Sequence, residues 1–379
     1  MGSQRPPRRP RGLFAAPYRC RLTAYYPPRR GFHRAAVEPV AYPDARRKPG
    51  GDMNESPEPA ASAPAAVTTA AGGFTRQDFM VLTKARLSAL VVVTTFAGYW
   101  LHHIVSPQPG DLWWRLIHTI IGTTLTAFGA AVFNQLMEMD ADARMKRTAS
   151  RPLPARRLPP AAAFGIGWVL SGLGIMHLGV KVNVEAALLA GLTLLVYLFI
   201  YTPMKRTSPL NTLVGAVSGA IPPVIGWAAT PGGKELVNFS RDLIRPELLL
   251  STEALFLFSL LFLWQLPHFL AINWMYRDEY IRGGFKMWCN TDETGLATAR
   301  RALGWCLLML PLAVWPPLAG FTSWTFAAPA LLLGGWLTWL CLQFLKNPER
   351  PRARKLFFAT LLYLPAMLAA LLLCAKSAP

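Results

Sequence analysis

The sequence predicts an all-α, polytopic membrane protein, a bundle of nine transmembrane helices behind a disordered, basic N-terminal presequence. Three observations predict it. The 379 residues are 53% hydrophobic but only 16% charged, with a mean hydropathy of +0.28, whereas a soluble domain carries about a quarter charged residues. Nine apolar segments recur along the chain, each close to the ~20 residues that a helix needs to cross a ~30 Å hydrocarbon core. When the connections between them are sorted into two sides, the basic residues fall mainly on one. A net charge of +19 would by itself suggest a nucleic-acid partner; its distribution argues against one.

Residues 1–49 read as a mitochondrial transit peptide. The first 37 hold nine Arg and no acid, from Arg5 to Arg34, mixed with Phe, Leu and Tyr and lacking the continuous apolar stretch of a secretory signal. Residues 50–75, rich in Ala, Pro, Gly, Ser and Thr, read as a disordered linker. The membrane domain is then 76–379.

The nine spans fall at 87–104, 116–137, 162–180, 184–201, 210–230, 251–273, 302–321, 325–345 and 356–375. Gly and Pro inside them are tolerable where helices are buried against one another, although the Pro222-Pro223 pair should kink or break the fifth. With residue 76 on one side, that side also receives the connections after spans two, four, six and eight. It holds 21 Lys and Arg against six on the other, a strong positive-inside bias. In a mitochondrion the basic side would face the matrix. Five cysteines (Cys20, Cys289, Cys306, Cys341, Cys374) show no metal or disulfide spacing. His102-His103 and Trp113-Trp114, on the less basic side, read as interface residues.

Carboxylates beside apolar spans are costly unless they face water, a cation or a metal. Two windows on the basic side carry them. In the first, Asn134, Glu138 and Asp142 are spaced i, i+4, i+8 and share one helix face, followed by Arg144, Lys146, Arg147 and Arg151. An amide and two carboxylates suit Mg²⁺, which often bridges to substrate phosphates, and the neighbouring cations suit a diphosphate. In the second, Asp278 and Glu279 offer another carboxylate pair; the spacing from His268 favours Glu279 facing inward. His268 is a general base, a porphyrin iron ligand or a histidine satisfied by a neighbouring helix. Asp292 and Glu293 read as the first turn of span seven behind a Thr291 N-cap. Lys84 and Arg86 before span one, and Lys205 and Arg206 after span four, are further candidates for an anion.

These residues carry a resemblance. Asn134-x3-Glu138-x3-Asp142 followed by Met145-x-Arg147-Thr148-x2-Arg151-Pro152-Leu153 resembles the first signature of the UbiA-type intramembrane prenyltransferases. Tyr201-Thr202-Pro203-x-Lys205-Arg206-Thr207, Pro222-Pro223-x2-Gly226-Trp227, Trp264-Gln265-x-Pro267-His268-Phe269 and Tyr280-x2-Gly283-Gly284 are similar to the branch that farnesylates protoheme IX. Glu138 stands where the family often has Asp, and Asp140 is additional. The resemblance implies a nine-helix bundle with a central cavity. It implies Mg²⁺ held by Asn134, Glu138 and Asp142, with Asp278 and Glu279 as further catalytic carboxylates. Arg86, Lys146, Arg147, Arg151, Lys205 and Arg206 would bind the diphosphate of farnesyl diphosphate, and His268, Trp264 and Tyr280 would meet heme b as acceptor. The product would be heme O, used by a heme A synthase downstream for cytochrome c oxidase, in the mitochondrial inner membrane. The rival readings are an aromatic prenyltransferase of quinone synthesis and a multi-pass transporter. The transporter would place charges at the membrane midplane; here they cluster at helix ends.

Overall fold

The computed structural model describes residues 74–230 and 245–377. The transit peptide and most of the linker expected from the sequence lie outside them. Each of the nine apolar segments is helical. A short leading helix, α1 (Arg76–Leu82), precedes α2 (Ala85–Val105) and α3 (Leu112–Met137). A one-turn helix, α4 (Met139–Ala143), opens the loop to α5 (Pro160–Lys181). Next come α6 (Val184–Met204), α7 (Asn211–Ala228) and α8 (Thr252–Met275). A two-turn helix, α9 (Arg277–Gly283), leads to α10 (Leu296–Met309), and α11 (Ala327–Lys346) and α12 (Arg350–Cys374) complete the bundle.

Eight helical stretches among the described residues are long and apolar enough to cross a membrane, yet only 33–56% of each is buried in the protein. Their outer faces expose Trp168, Phe199, Leu332 and Leu373. Apolar surface on that scale suits lipid, not water.

The remaining segment, the fifth, is α7, and it forms the bundle's centre. It packs on α2, α6 and α8 and is buried at every position from Ala220 to Ala228. Here the expected break at Pro222-Pro223 does not occur, and the helix runs through both prolines. Each proline forfeits a backbone hydrogen bond, at about 3 kcal/mol in an exposed helix, but burial of the whole helix offsets that cost. Backbones meet directly at this point. A Cβ on Gly98 of α2 would lie 1.9 Å from the Pro223 carbonyl oxygen, and one on Gly226 would lie 1.8 Å from that of Thr95. A second small-residue seam joins α3 to α5, where Gly129 faces Ser171 and Gly174 faces Thr126. Such seams hold membrane helices together by close van der Waals contact.

The start of α10 also differs from expectation. Its N-cap is Gly295, with φ 82°, four residues beyond Thr291. The buried Asp292 caps the helix from outside: Oδ2 accepts from the Thr298 N–H and hydroxyl, both 2.7 Å, and Oδ1 accepts from the Gly295 N–H at 2.9 Å. Glycine takes that left-handed φ without strain, so the acid reaches over the first turn instead of lying in it.

Candidate functional site

The connections on the basic side converge on one cavity of about 230 Å³, whose lining includes Lys84, Glu138, Asp142, Arg147, Arg151 and Lys205. The floor is the end of α3. Asn134 is fully buried: its Nδ2 donates to Thr202 Oγ1 at 3.1 Å, and its Oδ1 accepts from Lys84 Nζ. Glu138 closes α3 and turns the chain into α4. The Asp142 N–H still donates to the Glu138 carbonyl at 2.8 Å, so the i, i+4, i+8 face survives the break. Asp140, between them, is exposed.

Each oxygen donor of that face has a cation on it. Lys205 Nζ is 2.7 Å from Glu138 Oε1, and Arg151 Nη1 is 2.6 Å from Asp142 Oδ2. Burial would raise the Glu138 carboxyl, but the Lys205 and Lys84 charges outweigh it and hold the group below its usual range. Burial would likewise lower Lys205, and Glu138 instead holds it charged above its usual value. Lys84, lacking an ion partner that close, is pushed down to about 7 by burial and by the neighbouring Arg151 charge. Four basic side chains face two carboxylates around this cavity, so positive charge is left over for an anion.

The walls are aromatic. Lys205 Nζ lies 4.4 Å from the centre of the Tyr201 ring, and Arg147 lies 4.8 Å from that of Tyr276 and 6.0 Å from that of Tyr280. Tyr197 and Tyr201 reach the cavity because the last turns of α6, Val196–Tyr201, open into a π-helical turn, a feature frequent at functional sites. Asn211 Nδ2 donates to the Lys286 carbonyl at 2.7 Å, and the Lys286 N–H donates to that of Lys205 at 2.6 Å. These bonds pin the loop carrying Phe285 and Met287 over the opening.

The structure thus brings together Asn134, Glu138, Asp142, Arg147, Arg151, Lys205 and Tyr280. Arg206 is exposed and outside the lining, where it donates to the Met137 carbonyl at 3.2 Å. Arg86 and Lys146 are exposed and outside the lining, and Lys84 takes the place of Arg86. Asp278 points away: it pairs with Arg350 and is half exposed. Glu279 lies at the edge, where its Oε2 accepts the Arg147 N–H at 3.2 Å. Its carboxylate holds the loop that presents Arg147. His268 and Trp264 are buried between α8 and α12; His268 Nδ1 is 2.8 Å from Thr360 Oγ1, and Trp264 Nε1 donates to the Thr360 carbonyl at 2.7 Å. Of the three readings of His268, this arrangement matches the histidine satisfied by a neighbouring helix. Tyr201, known from the sequence only as the start of a motif, lines the cavity as well. Tyr197, Asn211 and Asn273 were not singled out by the sequence; no charge pattern marks them, and only the fold turns them inward.

Among the described residues no three His, Cys, Asp or Glu side chains converge as a metal cage. The set is one amide and two carboxylate oxygens, each already accepting from a cationic nitrogen. A hard divalent cation that keeps waters or phosphate oxygens as its other ligands fits such donors.

A model of the UbiA prenyltransferase family matches residues 91–362. The chain is similar to the protoheme IX farnesyltransferase of Solibacter usitatus, at 38% identity over 307 residues, covering 78% of this chain and 98% of that one. It is similar to the mitochondrial protoheme IX farnesyltransferase of Homo sapiens, at 37% identity over 298 residues, covering 78% of this chain and 61% of that one. In fold it is similar to a UbiA homolog from Archaeoglobus fulgidus bound to GPP and Mg²⁺. That TM-score is 0.53 at 11% identity, covering 78% of this chain and 99% of that one.

Proposed function

Because the chain belongs to the UbiA prenyltransferase family, we propose that it transfers the farnesyl group of farnesyl diphosphate to a vinyl group of heme b, making heme O. The observation that carries the donor half is the cavity itself, two buried carboxylates and an amide beneath four cations at the mouth of an apolar bundle. The acceptor half rests on the protoheme IX farnesyltransferase relatives.

Mg²⁺, when bound, would be held by Asn134, Glu138 and Asp142 and would supply Lewis-acid neutralisation of diphosphate oxygens. Lys84, Arg147, Arg151 and Lys205 bind the remaining phosphate charge, the arginines by bidentate hydrogen bonds. Stabilising the leaving diphosphate lets the C1–O bond of the donor break, its electron pair departing with the diphosphate. The vinyl carbon of the porphyrin then forms the new bond to C1. The cation left on the acceptor takes a water oxygen and releases a proton, leaving the hydroxyethylfarnesyl group. Tyr197, Tyr201, Tyr280 and Phe285 exclude water from the allylic cation until the acceptor captures it.

The chain is a multi-pass membrane protein, and we place it in the mitochondrial inner membrane with the cavity toward the matrix. The Arg-rich presequence and the 21 to six charge bias support that reading. The test is reconstitution of the purified protein with Mg²⁺, farnesyl diphosphate and either heme b or 4-hydroxybenzoate. A farnesylated heme by mass spectrometry is expected; a prenylated 4-hydroxybenzoate, or no product from either acceptor, overturns the proposal.

A further inference from the structure

Beside the diphosphate cavity lies a second hollow, of about 480 Å³, between the end of α8 and the start of α12. Its lining includes Met275, Tyr276, Phe357, Phe358, Arg350 and Arg354. The volume lies within the ~300–1,000 Å³ of small-molecule sites. Two features set its chemistry. The first is a pair of guanidinium groups at i and i+4 of one helix, roughly 5–6 Å apart at their Cβ atoms. Arg350 shares its charge with the exposed Asp278. Arg354 lies over the Phe358 ring, 5.6 Å from its centre, and no carboxylate faces it among the described residues. The second feature is a run of flat apolar surface below them. Phe357 is backed by the stacked His268 ring, 4.9 Å away between centres, which in turn is bonded to Thr360.

A ligand matching this hollow is flat, largely apolar and carries two carboxylates on one edge. It would enter from the membrane, its ring in the hydrocarbon and its carboxylates at the basic surface. Resting on the proposed heme acceptor, we propose that this groove is its docking subsite. The two propionates sit on Arg350 and Arg354 and the porphyrin face on Tyr276, Phe357 and Phe358. The vinyl groups lie on pyrroles away from the propionate edge, so anchoring that edge at the surface leaves them directed into the protein. Tyr276 joins the two sites: one side of it lines the groove, and Arg147, a lining residue of the diphosphate cavity, lies over its ring.

The test uses the full chain in nanodiscs of neutral phosphatidylcholine, with Mg²⁺, farnesyl diphosphate and either heme b or its dimethyl ester. In Arg350→Ala/Arg354→Ala the KM for heme b should rise by about ten-fold or more per arginine, the scale of a hydrogen bond to a charged group. The KM for farnesyl diphosphate and kcat should stay near wild type. Wild type should use the ester as poorly as the double variant uses heme b, the double variant should lose no more on the ester, and Arg350→Lys/Arg354→Lys should recover much of the affinity. An unchanged KM for heme b, equal use of diester and diacid, or a matching rise in the KM for farnesyl diphosphate overturns the subsite. An effect seen only in anionic phosphatidylglycerol nanodiscs also overturns it, since the groove then holds a lipid headgroup. If wild type makes no product from heme b at all, the acceptor assignment fails, an outcome distinct from failure of the subsite.

Discussion

Glu138 Oε1 and Lys205 Nζ lie 2.7 Å apart, with side chains only 7% and 12% exposed, and join the end of α3 to the end of α6. Removing one partner leaves the other charge buried and uncompensated, at a cost of about 3–5 kcal/mol. Glu138→Ala should therefore lower the thermal unfolding midpoint more than the paired change Glu138→Leu/Lys205→Met, while both variants lose product formation. Equal midpoints for single and double variants would show that the pair is not coupled.

Asp142 and Asp140 are two residues apart and separate function from surface charge. Asp142 is buried on the cavity and bonded to Arg151, whereas Asp140 is exposed. Asp142→Asn should cut the turnover of farnesyl diphosphate by about a hundred-fold or more, the scale of losing an electrostatic contact at a reacting centre, and the protein should remain folded. Asp140→Asn should retain wild-type turnover. Near-normal product from the Asp142 variant would remove it from the site.

Close approach of α2 and α7 makes Gly98 and Gly226 intolerant. Either Gly→Ala change puts a methyl carbon within 2 Å of a backbone oxygen, so the helices must separate. Both variants should fail to accumulate in membranes, whereas Gly165→Ala, where a Cβ meets nothing within 4 Å, should accumulate normally. Immunoblots of membrane fractions decide this, and normal levels of Gly226→Ala would refute backbone contact.

Acid should loosen α1. Arg157 donates to Asp78 Oδ1 from Nη2 at 2.7 Å and from Nε at 3.1 Å, tying α1 to the loop after α4. The Arg157 hydrogen bond holds the Asp78 carboxyl below its usual range, against the opposing effect of burial and with help from Thr75. A carboxyl depressed in the folded state contributes stability that is full above its unfolded value, near 4, and is lost as pH falls through the lowered value. Hydrogen exchange in 76–82 should accelerate as pH falls below about 4, after correction for intrinsic rates. Asp78→Asn should remove that dependence; a pH profile identical in the variant would assign it elsewhere.

Much of the first carboxylate window was legible because a helix repeats every 3.6 residues. Spacing alone put Asn134, Glu138 and Asp142 on one face, and the break after Met137 left that face intact. The second window was less legible. Asp278 and Glu279 look alike in sequence, but α9 restarts at Arg277 after the helix breaks at Tyr276, and that turn sends Asp278 to Arg350 and Glu279 to the Arg147 N–H. Lys84 and Arg86 were equally basic candidates. A left-handed residue at Lys84, φ 48°, turns its ammonium inward, whereas Arg86 stays exposed. Cys306 and Cys341 show no spacing rule, yet their sulfurs are 3.3 Å apart across α10 and α11.

Many membrane crossings, basic connections gathered on one side, and oxygen donors and cations crowding two of them are all legible in the order of residues alone. Hydropathy, charge bias and helical period are local properties and survive without knowledge of the fold. Which cation meets which carboxylate, the bond between His268 and Thr360, and the helical double proline emerge from the packed fold. Those outcomes depend on side chains tens of residues apart sharing one low-dielectric space, where an unpaired charge is too costly to leave and pairing is settled by which helices touch.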